Sequence, residues 1–121
     1  MIPFNQYYTT FFMPENLLRS PYPKVDTKIL KSSVKSFRDL MRQGDVLLDH
    51  LEDSIFAYKI MDAAQKGNRH QVESLVKSIG LKVPFTVQYN PTSVIFTLYS
   101  KATPYTPDSC CNLTISMRWG E

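Results

Sequence analysis

At Gly80 the spacing of apolar residues changes character. From Asp26 to Gly80 they recur every three or four residues, and beyond it they alternate with polar ones. The first spacing puts side chains on one stripe of an α-helix, and the second puts them on one face of a strand. Helices followed by strands, rather than the two in alternation, define an α+β chain with an antiparallel sheet. At 121 residues there is room for one such domain.

From Asp26, suited to an N-cap, a helix is predicted to about Leu51. Its apolar positions Leu30, Val34, Phe37, Met41, Leu48 and Leu51 alternate steps of four and three, with Gly44 at the same phase and Leu40 and Leu47 widening the stripe. Gly44 costs about 1 kcal/mol relative to Ala in a helix interior. It marks either close approach of another backbone or a kink, the kink being the simpler reading. A second helix, starting near Asp53 or Ser54 and stopped by Gly67, is expected to bury Ile55, Phe56, Ile60, Met61 and Ala64. A third opens on Asn68 with Gln71 three residues on, the form of a capping box, turns Val72, Leu75, Val76 and Ile79 inward, and ends at Gly80.

Val83, Phe85, Val87 and Tyr89 alternate as a strand, Asn90 to Ser93 read as a turn, and Val94, Phe96 and Leu98 alternate as a second strand paired with the first. Cys111, Leu113, Ile115, Met117 and Trp119 give the clearest alternation and a third strand. Pro84 cannot donate a ladder bond, which makes the first strand an edge. The expectation is three helices on one face of a three-stranded antiparallel sheet, with Phe37, Met41, Leu48, Val72, Ile79, Val87, Phe96, Leu113 and Ile115 in the core. Residues 25–121 form this domain. Residues 1–24 carry Phe4, Tyr7, Tyr8, Phe11 and Phe12 between several prolines and no sustained period, so they read as a poorly ordered, irregular tail. Its aromatics either fold back on an apolar patch of the domain or make contacts with another molecule.

A net charge of +3 is too mild to imply nucleic acid, but charge is unevenly placed. Lys28, Lys31, Lys35, Arg38 and Arg42 are followed on the same helical spacing by Asp45, Asp49 and Glu52. That order opposes the helix dipole, so helix stability does not account for it. Two readings are open: an interaction surface, self-complementary in an antiparallel homodimer or directed at another protein, or an ordinary solvated face that pairs with Lys59 and Lys66 of the next helix. No helix-turn-helix, zinc-finger or RNA-recognition signature accompanies the basic half, and no apolar run spans a membrane.

The chemistry-bearing residues are few. Four glycines punctuate helices or stand at the chain end and form no phosphate cradle, no nucleophile stands with a base, and no metal or cofactor is expected. Cys110 and Cys111 are neighbours; on a strand they would point to opposite faces, leaving Cys111 buried and Cys110 as an exposed, potentially reactive thiol. Without a disulfide framework or a leader-like amino terminus, a cytoplasmic origin is expected.

The segments SPYPKVDT (20–27), FAYKIMDAAQKGNRHQVESLVKSIG (56–80) and CCNLTISMRW (110–119) together resemble a family of small proteins of endospore-forming, Bacillus-like bacteria. The resemblance covers about residues 20–119. It implies association with the spore, the inner coat being the place it suggests, and brings no catalytic residues. The expected function is therefore non-enzymatic, structural or assembly work through contacts with itself or with coat proteins. The alternative is a ligand-binding or regulatory module with a pocket lined by Phe37, Met41, Phe85, Phe96 and Met117.

Overall fold

The computed structural model describes residues 22–101 and 110–120. Three helices, α1 (Lys28–Glu52), α2 (Ser54–Gln65) and α3 (Arg69–Lys77), precede strands β1 (Phe85–Tyr89), β2 (Ser93–Tyr99) and β3 (Asn112–Arg118). The predicted α+β architecture is the one observed. The residues 1–21 of the tail, with Tyr7, Tyr8, Phe11 and Phe12, lie outside the described residues.

Local chemistry sets the helix ends. Asp26 stands one position before the N-cap Thr27 and accepts the Lys28 N–H at 3.0 Å, so it opens α1 without being its cap. Asp53 caps α2 through Ile55 N–H, and Asn68 caps α3 through Gln71 N–H, each at 3.0 Å. Gly67 and Gly80 follow α2 and α3 with φ of 70° and 82°, conformations that a Cβ disfavours.

The sheet order is β1-β2-β3 with both pairings antiparallel, so β1 is an edge, as expected; Pro84 itself stands just before β1, its carbonyl accepting the Tyr99 N–H at 3.0 Å. The register aligns Val87, Phe96 and Ile115 across the strands, with Phe85, Leu98 and Leu113 on one side and Tyr89, Val94 and Met117 on the other. This face meets the helices. Leu47, Ile60, Ala63, Val72, Val76, Val87, Val94 and Phe96 close into one core cluster. The turn between β1 and β2 is held by Asn90, whose side-chain oxygen accepts from the Thr92 and Ser93 N–H groups. Trp119 then ties the end of β3 to this turn, donating from Nε1 to the Asn90 carbonyl and from its backbone to the Thr92 carbonyl.

The inner face of α1 differs from the predicted one. Its buried residues are Leu40, Gly44 and Leu47, whereas Phe37, Met41 and Leu48 are exposed. Of the remaining expected core, Val72, Val87 and Phe96 are buried and Ile79, Leu113 and Ile115 are half-buried. In α2, Ile60 and Ala63 face inward, while Ile55 and Met61 are exposed. Gly44 explains the rotation. A Cβ there would come within 3.0 Å of Leu113 Cδ2 and 3.4 Å of Ile115 Cδ1, so α1 is seated on β3 through its glycine. The close neighbours are sheet side chains, not another backbone, and the seat accounts for the glycine without invoking a kink.

Candidate interaction surface

Because α1 sits on Gly44 rather than on the middle of its apolar stripe, one flank of that stripe is left outside. Leu30, Val34, Phe37, Met41 and Leu48 retain exposures between 36% and 66%. Five large apolar side chains exposed along one flank mark a candidate contact surface. Met41, Gly44 and Leu48 line a shallow groove with Leu113 and Ile115 of β3. The groove lies on the side of Gly44 away from β2, that is, toward the outer edge of β3.

Next to this flank run the charges singled out in the sequence. Lys28, Lys31, Lys35, Arg38, Arg42, Asp45, Asp49 and Glu52 are all exposed. Arg42 pairs with Asp39 on its own helix, and Lys66, one expected partner of the acidic half, pairs instead with Asp62 at 3.0 Å. Among the described residues Asp45, Asp49 and Glu52 make no ion pair. The opposite flank of α1 carries uncharged polar groups that face the domain: Gln43 Oε1 accepts the Lys82 N–H at 2.8 Å.

The two edges of the sheet are finished differently. At β1, Arg69 donates from Nη1 to the Val87 carbonyl at 2.9 Å, with its guanidinium 5.1 Å from the centre of the Tyr89 ring. A charged side chain therefore occupies the outward backbone of that strand. At β3, the bonds from Ser100 N to Cys111 O and from Trp119 N to Thr92 O, with the register, fix the alternation. Leu113, Ile115 and Met117 bond to β2, and the N–H and C=O groups of Asn112, Thr114, Ser116 and Arg118 point away from it. Among the described residues nothing pairs with this edge.

Cys110 and Cys111 are joined by a disulfide, so neither is a free thiol. The pleat argument fails because β3 begins at Asn112, leaving both cysteines before the strand, where no alternation forces them apart. Ser100, which is buried, accepts the Cys111 N–H through its hydroxyl at 3.2 Å. The five residues expected to line a ligand pocket do not share one: Phe96 is closed in the core at 1% exposure, while Phe37 and Met41 stand outside.

Among the described residues no cluster of three His, Cys, Asp or Glu could hold a metal ion, and no helix is long and apolar enough to cross a membrane. What the described residues offer is an exposed apolar flank beside a charged stripe on an α+β scaffold. The chain belongs to the YuzC spore coat inner layer protein family, whose model matches residues 27–112. That match runs from the start of α1 into the first residue of β3 and agrees with the family resemblance read from the sequence. No curated protein and no solved structure matches the chain.

Proposed function

We propose that this protein is a non-enzymatic assembly component of the inner spore coat, made in the cytoplasm and retained in the coat by protein–protein contacts of α1. The observation that carries the reading is the apolar flank of Leu30, Val34, Phe37, Met41 and Leu48, exposed among the described residues beside a charged stripe whose acidic half makes no ion pair among them. Burying this flank against another protein removes apolar surface from water at about 25 cal/mol per Å². The charges beside it set orientation and partner more than strength. The aromatic residues Tyr7, Tyr8, Phe11 and Phe12 supply a second adhesive segment of the same kind.

The test is retention in spores. The triple substitution Val34→Gln, Phe37→Gln, Met41→Gln changes only exposed positions and should leave the circular dichroism spectrum and unfolding midpoint of the domain nearly unchanged. The substituted protein should be lost from the coat fraction of purified spores while the wild type remains. Undiminished retention of a folded triple variant would remove α1 from the contact.

A further inference from the structure

The open edge of β3 and the exposed flank of α1 lie on the same side of the molecule, and both can be covered by one partner. Resting on the assembly reading above, we infer that this partner is a second copy of the chain. The two copies are related by a two-fold axis perpendicular to the sheet beside Ile115, so that β3 pairs with β3 in a continuous six-stranded sheet and α1 packs antiparallel on α1.

Three independent features meet on that axis. The first is the strand. An antiparallel β3 pair centred on Ile115 joins backbone groups that already point outward, setting Asn112 opposite Arg118 of the second copy and Thr114 opposite Ser116. All seven residues are used, and the strand carries no proline, no lysine and no bulge, its one charge being Arg118 at its end. The second is the helix. Ser33 lies beside Cys111 and Gly44 lies over Leu113 and Ile115, so α1 and β3 run in the same direction, and reversing one by the axis reverses the other. Gly44 touches both β3 and Leu98 of β2, which seats α1 over the boundary of those strands. With strands about 4.8 Å apart, the twin helices come about 10 Å from one another, the ordinary helix-packing distance.

The third is charge. An axis passing by Gly44 sets Arg42 against Asp45, Arg38 against Asp49 and Lys35 against Glu52 of the second copy, each twice. The reversed dipole order of the stripe thus becomes complementary between copies, with Arg42 shared between Asp39 of its own helix and Asp45 of the second copy. Between the two charged stripes the groove of Met41, Leu48, Leu113 and Ile115 closes.

Amide exchange on the full-length protein, followed residue by residue by NMR across a dilution series, tests the arrangement. Below the dissociation constant the amides of Thr114 and Ser116 should exchange roughly tenfold or more faster than in the dimer, while those of Leu113 and Ile115, bonded to β2, change little. Light scattering should report a dimer that weakens as salt rises from about 0.05 M to about 0.5 M. Thr114→Pro removes an outward N–H and should give a monomer. Should that variant fail to fold, Arg38→Glu with Arg42→Glu should weaken association roughly tenfold or more, and adding Asp45→Lys with Asp49→Lys should restore it. A monomer at every concentration overturns the pairing, as does a dimer whose Thr114 and Ser116 amides remain unprotected. Protection that does not vary with dilution in a chain that light scattering finds monomeric also overturns it and assigns the edge to a segment of the same chain. In each case a protein still retained in the coat fraction leaves the assembly reading standing.

Discussion

Leu47 and Met41 are less than two helical turns apart on α1 and meet opposite surroundings, Leu47 fully enclosed and Met41 55% exposed. Both are large and apolar, so hydrophobicity does not decide which of them enters the core. What decides it is the company on either side. The flank beyond Leu40 and Leu47 carries Ser36 and Gln43, uncharged groups that can be partly buried and hydrogen-bonded, as Gln43 is to Lys82. The flank beyond Met41 carries full charges, which cannot follow the helix inward without partners. An amphipathic helix with two apolar flanks therefore turns the neutral border to the domain and keeps the charged border, with its apolar neighbour, outside.

The most damaging way to break this comparison is to empty the enclosed flank. Leu47→Ala should cost about 2–5 kcal/mol of folding stability by urea titration. A shift no larger than that of an exposed position would mean that α1 is not seated on its buried side. Overfilling the seat is the next largest test. Gly44→Leu pushes a side chain into the space held by Leu113 and Ile115 and should cost about 1–3 kcal/mol, with an unfolding midpoint at or above wild type refuting the close approach. The smallest effect belongs to the other flank. Met41→Ala should move the stability of the dilute monomer by no more than about 0.5 kcal/mol, and its consequence should appear in association measured by light scattering. A loss comparable to that of Leu47→Ala would place Met41 in the monomer core and erase the distinction.

Much of this is legible in the sequence. Element order, the caps at Asp53 and Asn68, the glycine stops and the pairing of the strands all follow from short-range chemistry, in which a residue and its near neighbours contain the whole cause. The rotation of α1 does not. It depends on how closely the helix approaches Leu113 and Ile115, residues remote in the chain, and the stripe through Leu30, Phe37 and Met41 passes through Gly44 just as the stripe through Leu40 and Leu47 does. The glycine was the available signal, because the most crowded line of a helix passes through its smallest residue, and the neutral border at Ser36 and Gln43 marked which side of that line turns in. Cys110 and Cys111 depart from expectation for a related reason: the alternation of β3 holds only from Asn112 onward, and pleat logic does not reach the two residues before it.

The contact between Ser33 and Cys111 joins residues 78 positions apart. Helices elongate in nanoseconds per residue and hairpins close in microseconds, so α2, α3 and the β1–β2 pair can all organise while α1 still lacks the strand on which it sits. Docking β3 beneath α1 closes the longest loop of the fold, and loop closure of that kind governs how fast small domains reach the native state. Trp119, the single tryptophan, sits at the far end of that strand against Tyr89 and the Asn90 carbonyl. Its fluorescence is a built-in clock for that docking step, and the interval before it changes is the time during which the inner flank of α1 stays open to solvent.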